Sequence, residues 1–234
     1  MNDIIPTYDV WWSLFKLFTT VGLVIAGGVT LFYIYTLFRY KSDTTPEDVS
    51  LREAATGIRR ILIETKPRGV TRVILLLTGV VVFTLIVTTI DETIYLEYTP
   101  TEDAFPVWVT GFQFGWEFEY EVDGETVKTV GYVVLPADTV IEFKVTSRDV
   151  FHTFGAAEFK VKVDAIPGIL NTMWTKTPPE PSVFTAYCYE LCGVGHSFMT
   201  AKVIVVDKDE FFQAYNAGPE KFKAYIEEVA AKYR

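Results

Sequence analysis

Two uncharged runs dominate the first part of the chain. Leu17 to Phe38 holds no charged residue over 22 positions, with Lys16 and Arg39 at its ends. Val73 to Ile90 repeats the pattern over 18 positions, between Arg72 and Asp91. At about 1.5 Å per residue the first run crosses a bilayer core with room for tilt, and the second reaches about 27 Å, near the lower limit. The pair predicts an N-terminal two-helix transmembrane hairpin with spans of about 17–38 and 73–90. A buried core helix is the competing reading for the second run. A cleaved signal peptide fits the first poorly, because no basic segment precedes it and the run is longer than such a peptide's apolar stretch.

After Pro106 the pattern changes to alternation. Phe112, Phe114, Trp116, Phe118 and Tyr120 fall on one parity, while Gln113, Gly115, Glu117, Glu119 and Glu121 fall on the other. Period two predicts a strand with one aromatic face and one wet face. Asp123-Gly124 then supplies a hairpin turn. Further strands are predicted at 128–135, 140–146, 157–163, 183–187 and 201–206, punctuated by Pro, Gly and Asp. Short strands at this spacing predict a sandwich or Greek-key barrel. From Pro219 on, Phe222, Tyr225, Ile226, Val229 and Tyr233 recur at helical spacing and predict a C-terminal amphipathic helix. Three regions follow: 1–98 as a transmembrane hairpin, 99–208 as the β domain and 209–234 as a helical tail.

Charge adds a direction. The formal net charge of −9 excludes a basic nucleic-acid-binding field. Its distribution is uneven: residues 1–90 carry nine Lys/Arg against seven Asp/Glu, and the remainder carries twelve against twenty-three. Eight of the basic residues (Arg39, Lys41, Arg52, Arg59, Arg60, Lys66, Arg68 and Arg72) lie between the two spans. By the positive-inside rule this places the hairpin tip in the cytoplasm, and both termini and the acidic domain on the outer face of the cell membrane. Within that loop Thr45-Pro46-Glu47 resembles a helix start, in a segment read as a connector or a docking surface.

The chain has only two Cys and two His. That count excludes a disulfide framework. Three of the four fall in one stretch, Cys188-Tyr-Glu190-Leu-Cys192-Gly-Val-Gly-His196-Ser-Phe-Met199, and the fourth is His152 upstream. Thiolate, imidazole and thioether together form a soft donor set that favours copper over Mg, Ca or Mn. Cys, His and Met on one loop plus a distant His is the arrangement of a cupredoxin copper site, and the second Cys supplies a further thiolate with which to bridge two ions. A Cys188–Cys192 disulfide, zinc on Cys2His2, and Met199 as mere core packing are the competing readings.

The same twelve-residue run resembles the CuA motif of subunit II of haem-copper oxidases, the cytochrome c oxidase family. Asp149-Val-Phe-His152-Thr-Phe resembles the segment carrying that family's first ligand. Lys162-Val-Asp164-Ala-Ile-Pro167-Gly168-Ile-Leu-Asn171 resembles its stretch facing subunit I, and Gln113-Phe-Gly-Trp116 its aromatic strand. The resemblance covers nearly the whole chain. It implies an all-β cupredoxin-like Greek-key barrel behind the hairpin. It makes His152, Cys188, Cys192, His196 and Met199 side-chain ligands, and Glu190 a ligand through its backbone carbonyl, of two copper ions in a dinuclear CuA centre. It implies a Mg site shared with subunit I through the Glu190 carboxylate, an interface residue in Asp164, and electrons entering at Phe114 and Trp116. The implied partners are subunit I, other oxidase subunits, membrane lipid, and a cytochrome c or small blue-copper protein as donor. The implied task is to pass electrons to haem in subunit I for oxygen reduction. A nitric oxide reductase subunit and a copper-delivery protein are the alternatives. Four positions depart from the family's habit: Phe114 and Gly115 stand where Trp and Tyr are usual, Ala157 where Pro is common, and Ile169 where a basic residue commonly follows Pro-Gly.

Overall fold

The computed structural model describes residues 6–39, 69–97 and 103–233. Helix α1 runs Pro6–Arg39 and helix α2 runs Gly69–Glu97, at 34 and 29 residues. Both outrun a bilayer core of about 30 Å, and both uncharged runs lie within them. Their most apolar windows are not buried inside the protein at all. A core helix of a soluble domain would be covered, so the core-helix reading of the second run loses its support, and lipid is the natural solvent for helices apolar on every face. The Thr45-Pro46-Glu47 helix start, and most of the basic residues between the spans, lie outside the described residues.

By its contacts the chain divides into two compact units, Leu14–Asp91 and the remainder. The larger unit is built on ten strands: β1 (Phe105–Phe112), β2 (Gly115–Val122), β3 (Glu125–Val130), β4 (Tyr132–Pro136), β5 (Val140–Ser147), β6 (His152–Ala156), β7 (Val161–Ala165), β8 (Asn171–Lys176), β9 (Ser182–Cys188) and β10 (Thr200–Val206). They form two five-stranded sheets, β3-β2-β1-β5-β8 and β4-β10-β9-β6-β7. β1 runs parallel to β5 and β4 parallel to β10; the other pairings are antiparallel. An isolated bridge between Ser147 and Pro167 and the approach of β7 to β8 close one side of the sandwich. Alternation produces the core: Val107 and Val109 of β1, Trp116, Phe118 and Tyr120 of β2, and Ile141, Phe143 and Val145 of β5 are all fully buried and face Phe154 and Val203 of the other sheet. This is the sandwich that the strand spacing predicts, and its cupredoxin-like form is the one that the family resemblance implies.

Three of the predicted strands differ in their limits. The aromatic alternation from 112 to 120 is not one strand: β1 ends at Phe112, Gln113 and Phe114 form a two-residue connection through a cis peptide bond, and β2 begins at Gly115. The predicted strand 128–135 is two strands in different sheets, joined at Gly131, whose φ of +79° suits glycine. The strand predicted at 157–163 starts later, at Val161, after a turn closed by Phe159 N–H donating to Ala156 O. The Asp123-Gly124 turn is as expected, with φ of +50° and +80° matching the twist of a two-residue hairpin.

The C-terminal region contains two helices, α3 (Lys208–Tyr215) and α4 (Pro219–Ala231). Asp207 caps α3 by accepting from the N–H groups of Asp209 and Glu210, and Pro219 opens α4 where its missing N–H costs nothing. Phe211, Phe222 and Ile226 are buried in the same core as Tyr120. Edge-to-face ring contacts join Tyr120 to Phe222 and Phe105 to Phe211.

Candidate metal centre

Three strand ends meet at one end of the sandwich. β9 ends on Cys188, β10 starts just after Met199, and β6 starts on His152. The Cys188 N–H donates to Met199 O and the Tyr189 N–H to Thr153 O, so both strands grip the base of the intervening loop. Within the loop a single 3-10 turn, His196–Phe198, is held by the His196 N–H on Gly193 O and the Phe198 N–H on Gly195 O.

Six donor groups converge. Cys188 Sγ lies 3.9 Å from His152 Nδ1 and 3.9 Å from Cys192 Sγ. Cys192 Sγ lies 3.6 Å from His196 Nδ1 and 3.7 Å from Met199 Sδ. Glu190 contributes its carbonyl, 3.2 Å from Cys188 Sγ. The ligand atoms of His152, Cys188 and Cys192 all fall within 4.8 Å of one another, close enough to share an ion. Both cysteines are free thiols. His152 and Met199 have no solvent exposure, and His196 alone of the side-chain donors is half-exposed. The donor set is soft, compact and shielded from water, so it fits copper and fits a hard oxygen-seeking cation poorly.

Electrostatics follow from that burial. Burial, and then the neighbouring Cys188 thiol, push the Cys192 thiol up to about 11. His152 is held from behind: its Nε2 lies 2.9 Å from Asp149 Oδ1, which leaves Nδ1 facing Cys188. A carboxylate behind a ligating imidazole fixes its tautomer and ring orientation. Burial pushes the Asp149 carboxyl up, but His152 and the N–H groups of Gln113 and Val150 outweigh it and hold the group below its usual 3.8. In the sequence Asp149 stands out only as part of the Asp149-Val-Phe-His152 motif. Its spacing three residues before a candidate ligand histidine was the available signal for its role.

The other predicted site residues are distributed around this cluster. Phe114 is partly exposed and its ring covers the ligand loop: a Cβ added at Gly195 would sit 2.5 Å from that ring, and one at Gly193 would sit 3.2 Å away. Phe114 therefore requires glycine at both positions, and at Gly193 the φ of +132° requires it a second time. Trp116 is fully buried, edge-to-face with Phe154 and 6.0 Å from the His152 ring centroid, and among the described residues its indole N–H has no hydrogen-bond partner. Asp164 sits on β7 opposite Thr153, whose hydroxyl donates to its carboxylate over 2.8 Å. Glu117 pairs with Arg148 and Lys128, and Glu119 with Lys128, so these carboxylates are satisfied within the domain. Desolvation raises the Glu117 carboxyl, but those two cations outweigh it and hold it below 4.5.

Comparison with known proteins places the chain in a family. Residues 123–208 match the family described as cytochrome c oxidase subunit II, periplasmic domain. A protein of Aeropyrum pernix named heme-copper oxidase subunit 2 is 58% identical over 236 residues, spanning 99% of this chain and 100% of that one. Cytochrome c oxidase subunit 2 of Alkalihalophilus pseudofirmus is 36% identical over 138 residues, 59% of this chain and 35% of that one. Among solved structures, the periplasmic domain of subunit II of the Bradyrhizobium japonicum cytochrome oxidase is 30% identical, with a TM-score of 0.47, over 53% of this chain and 99% of that one. The chain belongs to the subunit II family of haem-copper, cytochrome c type oxidases, membrane-anchored subunits of oxidoreductase complexes.

Proposed function

We propose that this chain is the electron-transfer subunit of a haem-copper terminal oxidase, relaying single electrons from a donor outside the membrane to haem in subunit I, where oxygen is reduced. The observation that carries this reading is the convergence of His152, Cys188, Cys192, His196, Met199 and the Glu190 carbonyl in one shielded cluster. His152 lies nearest Cys188, while His196 and Met199 lie nearest Cys192, a division that suits two copper ions better than one. Bound there, the dicopper group supplies a one-electron store with little reorganisation.

The chain's own residues do the rest. Asp149 holds the His152 ring, and buried Met199, Phe154 and Trp116 exclude water around the ligands. Phe114, partly exposed over the loop, is the point where electrons enter, with Trp116 buried beside His152 as the second aromatic of that entry. Leu191, Val194 and Phe198 are apolar residues exposed beside the ligands, as suits a surface that meets the electron donor, a c-type cytochrome or small blue-copper protein, and the other oxidase subunits. Among the described residues no hydrogen bond holds the Glu190 carboxylate, which leaves it for a Mg ion at the boundary with subunit I, and Asp164 is a further residue for that boundary.

The test is metal analysis and EPR of the purified full chain loaded with copper. The expected outcome is two coppers per chain and a seven-line hyperfine pattern, the signature of one electron shared over two nuclei. One copper per chain with a four-line spectrum would overturn the dinuclear reading.

A further inference from the structure

We infer that Gln113 is a positioning residue for the electron-transfer centre, locking the Cys192 peptide and the Asp149 carboxylate into one frame; the assignment rests on the copper reading above. Gln113 lies in the connection between β1 and β2, and no donor atom of the cluster belongs to it. Its side-chain amide donates to Cys192 O over 2.5 Å, bridging 79 positions of sequence. Its backbone N–H donates to Asp149 Oδ2 over 2.7 Å. The other oxygen of that carboxylate faces His152 Nε2 and also accepts from the Val150 N–H. One residue therefore holds the group that orients His152 and the carbonyl of the peptide that carries Cys192.

The loop needs such a lock at this joint. Gly193 follows Cys192 with φ at +132°, a region that glycine enters with little resistance. A peptide plane flanked by that freedom can rotate, and the Cys192 thiol would rotate with it away from Cys188, His196 and Met199. The Gln113 amide is the group that pins the plane, and a Cβ at Gly193 would sit 3.0 Å from its nitrogen. The residue type fits the task. A carbonyl needs a donor, so Glu at this position would set an acceptor against an acceptor, and Asn would be one carbon short. Gln113 itself is exposed, so the contact adds little to global stability, and its loss should be felt locally.

The test uses the full chain in detergent, with Gln113→Ala and Gln113→Glu beside the native protein. Both variants keep the backbone N–H that reaches Asp149. In the metal-free chain, alkylation of Cys192, read separately from Cys188 by mass spectrometry, should rise about five- to tenfold, the factor carried by one ordinary hydrogen bond. Cys188 should change less and the melting temperature should hold. In the copper-loaded chain both variants should shift the copper hyperfine splitting and the reduction potential at unchanged copper content. Native alkylation rates together with a native spectrum and potential would overturn the assignment. So would an equal rise at both cysteines with a lowered melting temperature, which marks general loosening. Should the native chain bind no copper, the parent reading fails, and the alkylation arm still judges Gln113.

Discussion

Cys192 concentrates the site's chemistry at the scale of a single residue. Its sulfur lies within 4 Å of Cys188 Sγ, His196 Nδ1 and Met199 Sδ, and it joins the His196–Met199 side of the donor set to the Cys188 side. With its thiol pushed up to about 11, it carries a proton in the metal-free protein at neutral pH. A metal takes the thiolate, so uptake must release that proton. The sign is then fixed: apparent copper affinity rises with pH, by about tenfold per pH unit for each thiol proton displaced while the pH stays below the thiol's own value. Competition titrations between about pH 6 and 8 should show that slope, and Cys192→Ser should reduce it by one proton and remove the two-copper spectrum while the β domain stays folded. A pH-independent uptake would remove Cys192 from the ligands. This part of the site was legible in the sequence because rare residue types cluster: with two Cys and two His in 234 residues, their convergence is conspicuous. Asp149 leaves only a local trace, its place three residues before His152. Gln113 leaves none, because Gln is an ordinary loop residue and its partners come near only on folding, across 36 and 79 positions.

At the scale of elements, the two sheets are joined by a polar clasp as well as by packing. Tyr120 of β2 is fully buried, and its hydroxyl accepts from the Val134 N–H over 2.8 Å and donates to Val134 O over 3.1 Å. β4 is the outer strand of its sheet, so Tyr120 supplies from the opposite sheet the partners that a further strand would have given Val134. Burial drives the phenol's pKa far upward, so it remains a neutral donor throughout the physiological range. Tyr120→Phe would keep the ring contact with Phe222 but leave two buried backbone groups unpaired. The expected cost is about 1–3 kcal/mol, read as a lower denaturation midpoint at unchanged copper content. β2 itself was legible, since Trp116, Phe118, Tyr120 and Val122 alternate with polar residues and are all buried. Its start was not. Phe112 and Phe114 share the parity of those residues by accident of sequence, yet one ends β1 and the other lies in the connection above the metal loop. β6 escaped for the opposite reason: His152–Ala156 is buried at every position and so carries no alternation to read.

The whole molecule has to be placed in a membrane, and there the charge distribution decides. α1 and α2 are long enough to cross and present apolar side chains all round, but their length carries no direction. The direction comes from the segment between them, where eight Lys/Arg meet five Asp/Glu, against a following region in which acidic residues outnumber basic ones by nearly two to one. Translocation of a short basic loop is disfavoured, whereas acidic domains cross largely regardless of charge. The basic tip should therefore stay in the cytoplasm and the β domain with its metal loop should lie outside, where a soluble donor can reach Phe114. Two single cysteines test this in a background with Cys188 and Cys192 replaced by Ser: Ser50→Cys in the loop and Thr126→Cys on the exposed side of β3. In sealed cells stripped of their outer layers, a membrane-impermeant maleimide should label the cysteine at position 126 at once, and that at position 50 only after the membrane is opened. The reverse pattern would put the His152, Cys188 and Cys192 cluster on the cytoplasmic side and remove any extracytoplasmic donor from the proposal. Equal labelling of both before opening would mean that the hairpin does not cross at all, and the apolar length of α1 and α2 would then need a protein partner to cover it.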